Sequence, residues 1–594
     1  MPHRLALVCW FCLLSSLMAD DVLEQAIKSW KGDVLTIGRD DRGEPLRVLV
    51  DPGAWEYDQE KRRFFFIIDV GDDDEPLSTA CQLIEDMDSI RENPHFNIVR
   101  TLVLVSPDMV PGERGRERLL SFPPKGEAYK TPGEITAASI WRYAAWFGPE
   151  AIVDYHSEQL AEYQEFAQAH ESNEQVTPDW KPGAFAVAAR HDLGGLGIPL
   201  VARSPVFSRL KLPTAEQRTI SAKWARLEPW VIRNSDGGDV AAPSQTRIEI
   251  QRRLDRTPEQ VVNELLSVYG DQLNSVMYQS ALAVLSRQRW AISQKNDEQL
   301  QQVQRILNPY LLGEKEALKG LGNGSQYAGH LAFAEWARHS GDAAAIKLVQ
   351  AAADRGFDDQ GQPLEAMPTH NEMSDAVFMA CPILTAAAEL TGEQKYLDMA
   401  GRHFRFMRKL CQRDDGLYRH SPLCEAPWGR GNGFPALGLA LSLTDLDSIL
   451  ADANRAALHP AARELRTEFR DALQQHLSAL LEHQDVTGMW RQVIDDPRAY
   501  REMTSTCMIG FALQRSLDRG WLTEEKYQTA VDRAWQAVKV RTGAHGELMD
   551  VCTGTGKQKT LDDYLNRTAI WGKDERGGAM ALMFATERAL GNEK

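Results

Sequence analysis

The sequence predicts a chain in two parts: an α/β region with a mostly parallel sheet over residues 33–235, then an all-helical toroid over residues 257–594. Three observations lead there. Before residue 235, short apolar runs alternate with helical stretches. Residues 234–245, NSDGGDVAAPSQ, are Gly, Pro and small polar residues without periodicity, a composition that interrupts regular structure. Beyond them the text becomes a succession of amphipathic helices with scarcely a strand.

The bulk numbers set limits. A chain of 594 residues exceeds one ordinary core. With 84 acidic against 67 basic residues the net charge is -17, which argues against a nucleic-acid partner, since that binding relies on clustered Lys and Arg. An acidic sugar stays open, because one or two placed Arg hold a carboxylate in a negative protein. No internal apolar run approaches the roughly 18 residues of a membrane span, so no membrane contact is expected after the N-terminus.

Residues 1–19 carry one Arg, an apolar stretch and Ala19 ahead of acids, as a secretory signal peptide does; a buried N-terminal helix is the alternative. Export places the chain in the periplasm or outside the cell. Cys9 and Cys12 would leave with the signal. Cys81, Cys381, Cys411, Cys424, Cys507 and Cys552 form no CxxC pair and read as small buried hydrophobes, so neither a disulfide framework nor a metal or cofactor is expected.

In chain order, the strand candidates are RRFFFIIDV (62–70), NIVRTLVLV (97–105), AIVDYH (151–156) and AFAVAAR (184–190), with EITAASIWRYAAWFG as a helix between them. Continuous apolar strands separated by helices indicate a sheet covered on both faces. A linker follows at 236–256. Thr257 can cap the next helix with Pro258 in its first turn.

From there about eleven or twelve helices follow, many ending in Gly, the preferred residue just past a helix C-terminus. Strongly apolar helices such as DAVFMACPILTAAAELTG alternate with striped ones such as EQKYLDMAGRHFRFMRKL. An inner ring buried all round and an outer ring wet on one face would produce that alternation. A helical solenoid is the alternative, but the hairpins show no fixed period.

The loops after the inner helices hold the candidate chemistry. HNEMSDAVFM puts Asp375 at the start of an apolar helix, where it reads either as a dipole-favoured cap or as a functional acid. DDGLYRHSP brings His420. CEAPWGRGNGFPALGLAL brings Trp428, Arg430, Asn432 and Phe434 among three Gly. Trp offers a flat face to a sugar ring, Arg a fork for a carboxylate, and Gly close backbone approach. Alternatively, Arg430 bonds helix-end carbonyls beside a packed Trp. HQDVTGMWRQVIDDP adds Gly488 and Trp490, followed by EMTSTCM and VCTGTG.

In this order and spacing, Asp375 with FM, WGRGNG, QDVTGMWRQVIDD, EMTSTCM and VCTGTG resemble the unsaturated uronyl hydrolases of glycoside hydrolase families 88 and 105, over about residues 270–594. The resemblance implies an (α/α)6 barrel acting on oligosaccharides that end in a 4,5-unsaturated uronic acid. It also implies Asp375 as the proton-transferring group and His420, Trp428 and Arg430 as substrate-holding residues; Asn432, Phe434 and Trp490 complete the candidate set. Phe434 stands where the family often has Trp. A second Asp expected near GNGSQYAG (322–329) is missing, which leaves Asn323 and His330 as candidates for its space.

The first part resembles zinc carboxypeptidases and succinylglutamate desuccinylase-like deacylases over about residues 35–235. Glu75 and His156 match two metal ligands of such proteins, but the first-loop His is absent from VGDDDEP, so loss of the metal is expected.

Overall fold

A computed structural model describes residues 24, 27–28, 30–55, 62–69, 98–105, 135–149, 151–155, 200–204, 245–369 and 372–591. The chain divides into two units, Met1–Arg252 and Arg253–Lys594.

The first unit contains β1 (Asp33–Arg39), β2 (Pro45–Val50), β3 (Arg62–Asp69), β4 (Ile98–Val105), α1 (Ile135–Phe147), β5 (Ala151–Tyr155) and β6 (Leu200–Ser204), in the sheet order β1-β2-β4-β3-β5-β6. β4, β3, β5 and β6 are parallel, while β1 and β2 form an antiparallel edge. Phe64, Phe65 and Phe66 are all buried, as a strand covered on both faces requires. The Tyr143 hydroxyl on α1 lies 2.6 Å from Thr101 Oγ1 on β4. Three of the four expected strands are β3, β4 and β5; the fourth, 184–190, lies outside the described residues. β1 and β2 escape the sequence reading because Gly38 and Pro45 weaken the pattern; Gly38 lies on the edge strand and Pro45 is the first residue of β2, positions where such residues are tolerated.

Residues 245–255, expected as part of the linker, are instead the helix α2 (Gln245–Asp255), which has no Gly or Pro to break it. Next come α3 (Pro258–Leu266), α4 (Tyr278–Ser293), α5 (Asp297–Leu311), α6 (Gly324–Gly329), α7 (Leu331–Ser340) and α8 (Ala343–Ala353). After them run α9 (Ala376–Thr391), α10 (Lys395–Cys411), α11 (Gly429–Ala451), α12 (Ala453–Leu458), α13 (Ala462–Leu481), α14 (Met503–Asp518) and α15 (Glu525–Val540). The last elements are β7 (Leu548–Cys552), α16 (Leu561–Leu565), β8 (Ala569–Gly572) and α17 (Glu575–Gly591). Thr257 caps α3 through a reciprocal box with Gln260, and Pro258 sits in the first turn, as anticipated.

Six inner staves, α4, α6 with α7, α9, α11, α14 and α17, each pack on the next, and α17 packs on α4 to close the ring. The outer helices α3, α5, α8, α10, α13 and α15 alternate with them along the chain. The inner staves therefore run in one direction, with their N-termini at one end of the barrel. Packing is tight: a Cβ on Gly438 of α11 would sit 2.7 Å from the Phe378 backbone of α9, so only Gly fits. α9 is buried from Ala376 to Glu389, whereas outer α10 keeps a polar face.

α11 is, among the described residues, the one helix long and apolar enough to cross a membrane, contrary to the reading of no such run; 72% of its apolar 18-residue stretch is buried, as a barrel stave requires.

At the C-terminal end of the inner staves every one of them contributes to a buried charged ring. Arg289 of α4 lies 3.3 Å from Glu335 of α7. Arg338 of α7 reaches Glu389 of α9 at 2.7 Å and Asp445 of α11 at 2.6 Å. Arg515 of α14 bonds Thr444 of α11 and Glu587 of α17. Burial pushes the Asp445 carboxyl up to about 7 against the pull of Arg338.

Candidate active site

The opposite end, where the inner staves begin, holds the residues singled out from the sequence. Asp375 directly precedes α9 with helical backbone angles, and its side chain caps nothing. This residue therefore stands at the N-cap position without making a cap bond. Its position is fixed from two sides. The preceding Ser374 donates its hydroxyl to Gly431 O at 2.7 Å and its N–H to His420 O at 2.9 Å. Behind α9, His403 of α10 accepts the Met367 N–H at Nδ1 and donates from Nε2 to Ala376 O. Burial lowers His403 to about 4, which keeps it neutral for that arrangement.

Asp375 Oδ1 lies 3.4 Å from His420 Nε2. Both atoms are buried, and neither has a hydrogen-bond partner among the described residues. Buried polar atoms without partners are uncommon and mark sites of function or strain. The other imidazole nitrogen, His420 Nδ1, lies 2.8 Å from the Tyr564 hydroxyl of α16. The His420 ring also packs on Trp428, with centroids 4.4 Å apart.

Trp428, Arg430 and Phe434 join this group. The Arg430 guanidinium stands over the Trp428 ring at 4.8 Å. Its terminal nitrogens donate to Cys552 O at 2.8 Å and Thr553 O at 2.7 Å, at the end of β7. The expected fork for a substrate carboxylate is therefore already engaged with backbone, close to the alternative weighed from the sequence. Burial opposes the Arg430 charge, while Cys552, Tyr278, Glu502 and Asp375 outweigh it and hold the group firmly protonated. Trp428 is fully buried, and its indole N–H has no partner among the described residues. Gly431 is a close-approach residue: a Cβ there would meet Ser374 Oγ at 2.9 Å. Phe434 stacks on Phe378 at 5.4 Å and meets Tyr278 edge-on at 5.5 Å.

Asn432 and Trp490 are not brought to this group. Asn432 spends its amide on the backbone of Tyr418 and Trp428. Trp490 donates its indole N–H to Leu480 O at 2.6 Å in a fully buried slot. Its segment is organised by Asp485, which accepts from Arg491 and Arg501 at 2.7 Å each. Asn323 caps α6, and His330 bonds Gln326 O through Nδ1. Burial lowers His330 to about 4, leaving its Nε2 as a neutral buried acceptor. Glu75 and His156 lie outside the described residues.

Three residues at the site escaped the sequence reading. Glu502 caps α14 through Thr504 and Ser505 and also accepts the Cys552 N–H, which braces the carbonyls that hold Arg430. Its signal was present, as an acid just before TST at a helix start. Tyr278 and Tyr564 had none, since they meet the site from distant parts of the chain.

The sequence profile of Glycosyl Hydrolase Family 88 matches residues 251–590. An unsaturated 3S-rhamnoglycuronyl hydrolase of Formosa agariphila is 29% identical over 185 residues, 28% of this chain and 45% of that protein. The unsaturated rhamnogalacturonyl hydrolase YesR of Bacillus subtilis is 28% identical over 229 residues, 36% of this chain and 61% of its own length. The chain thus spans about half the length of these curated relatives. Among solved structures, a possible member of the GH105 family from Salmonella enterica is similar with a TM-score of 0.47 and 18% identity, covering 60% of this chain and 97% of that one. The unsaturated glucuronyl hydrolase of Bacillus sp. GL1 gives a TM-score of 0.40 and 15% identity, over 57% and 96%. The profile match takes in more than half of the chain and runs from α2 to α17, so this protein belongs to Glycosyl Hydrolase Family 88.

Proposed function

We propose that the protein is a glycoside hydrolase that removes a 4,5-unsaturated uronic acid from the non-reducing end of lyase-generated oligosaccharides. The observation that carries this reading is the pair of buried atoms without partners among the described residues, Asp375 Oδ1 and His420 Nε2, at the end of the barrel where the inner staves begin. The names of the relatives supply the substrate class.

In the proposed reaction the Asp375 carboxyl gives its proton to C4 of the enol-ether double bond, leaving positive charge on C5 shared with the ring oxygen. The resulting carboxylate takes a proton from water as the water oxygen bonds to C5. The hemiketal then opens and the aglycone leaves with its oxygen. One side chain serves as acid and then as base, which suits a single buried carboxyl beside an imidazole nitrogen. Trp428 and Arg430 shape the wall behind His420 rather than offering a free fork. His330 Nε2 is the candidate for the acceptor that a second Asp would supply.

The test is incubation with unsaturated galacturonyl- and glucuronyl-ended oligosaccharides while the ultraviolet absorbance of the conjugated double bond is followed. Wild type bleaches one or both. Asp375→Asn should lose activity by about 100- to 10,000-fold, the usual worth of positioned proton transfer. Binding of the sugars without bleaching would refute hydrolysis.

A further inference from the structure

We propose that Tyr564 is a positioning residue for the reaction: its hydroxyl donates to His420 Nδ1, fixing the imidazole in the tautomer whose Nε2–H points at Asp375. The inference rests on the proposed hydrolase reading for its kinetic consequence and on geometry alone for its tautomer.

The Tyr564 oxygen takes part in two contacts among the described residues. It accepts the Gln558 N–H at 3.2 Å and lies 2.8 Å from His420 Nδ1. With the first contact donating to it, the phenol proton has one acceptor within reach among the described residues, the Nδ1 lone pair. The opposite arrangement, Nδ1–H donating to the phenol, would leave that proton without an acceptor among them. It would also turn the Nε2 lone pair toward Asp375 Oδ1 3.4 Å away, lone pair against lone pair in the step where the carboxylate takes a proton from water. The donating arrangement gives each hydrogen an acceptor or a facing oxygen, and burial holds the Tyr564 hydroxyl well above its ordinary pKa, so the donor keeps its proton. Which ring nitrogen of a His carries hydrogen is set by the bond the other one makes.

Tyr564 is itself well held. Thr560 caps α16 through a reciprocal box with Asp563, and the Tyr564 ring meets the His420 ring edge-on at 5.7 Å. The hydroxyl is thus presented by a fixed turn of helix, not by a loose loop. The consequence for chemistry is a steady N–H donor facing Asp375 Oδ1 while that side chain takes its proton from water.

The decisive experiment is nitrogen NMR of protein labelled at His, with the His420 signals assigned by their loss in His420→Gln. Wild type should show an unprotonated Nδ1 and a protonated Nε2. A protonated Nδ1, whether in the other tautomer or in the imidazolium, overturns the proposal whatever the activity. Tyr564→Phe keeps the ring and removes the donor. It should mix the tautomers and lower kcat by about 10- to 100-fold with little change in KM, the usual cost of removing a group that orients a functional imidazole. Unchanged tautomer and unchanged kcat in a folded Tyr564→Phe would equally overturn it. If wild type bleaches no unsaturated sugar, the hydrolase reading fails while the NMR result still decides the tautomer.

Discussion

Asp375 Oδ1 and His420 Nε2 face each other across 3.4 Å, with no hydrogen bond at either atom among the described residues. The two residues come from separate loops that are tied together by the Ser374 N–H on His420 O. Replacing His420 therefore has two costs. His420→Ala should lower kcat/KM by about 10- to 100-fold. It should also destabilise the fold by about 1–3 kcal/mol, because the buried Tyr564 hydroxyl loses its acceptor. Steady-state kinetics and thermal melting separate the two.

Asp485 should be a pillar of stability, not of catalysis. Burial alone would raise its carboxyl, but Arg501 and Arg491 overcome that and hold it well below the usual carboxylate range. Its folded pKa is depressed, so its contribution is present above the unfolded value of about 3.9 and is lost as pH falls below it. Asp485→Asn leaves two buried guanidinium groups without their anion and should cost about 3–5 kcal/mol at neutral pH. Melting curves at pH 7 and below pH 4 check both the loss and its shrinkage in acid.

Between pH 7 and 5 a different set of groups should act. Burial lowers His403 and His330 to about 4 each. The folded state then binds fewer protons than the unfolded one in the window from about 6.5 down to about 4, so stability falls as pH drops through it. At pH 5 each group should cost about 2 kcal/mol. His403→Gln should flatten the melting temperature over this range even though it starts lower.

Phe434→Trp restores the residue that the family resemblance leads one to expect there. Phe434 is buried between Phe378 and Tyr278, with ring centroids at 5.4 and 5.5 Å, so the larger indole overfills the slot. The expected loss is about 1–3 kcal/mol. A melting temperature equal to wild type would contradict this packing.

Much of the helical half was legible because its signals are local. Thr257, Gln260 and Pro258 announce the start of α3, and the alternation of apolar α9 with striped α10 announces two rings. Asp375, His420, Trp428 and Arg430 were legible as a group because an acid, an aromatic and an Arg among Gly stand out in their segments; the reading put them in loops after the inner helices, whereas they lie at the end where the inner staves begin. What each side chain does was not. Arg430 reads as a free fork until β7 brings two carbonyls to it, and Trp490 reads as a sugar platform until Leu480 takes its N–H. Tyr564 reaches His420 across 144 residues, a separation that no local pattern encodes.

The ring of staves closes between α4 and α17, the first and last inner helices. Joining parts of a chain so far apart carries a large loop-closure cost and tends to come late in folding. A nascent chain on the ribosome therefore holds five walls of an open trough, with Trp535 lacking its edge-on partner Phe584, until α17 emerges. Chaperone demand should peak at that moment, and a stop codon shortly before Glu575 should yield an aggregating product rather than a weakened one.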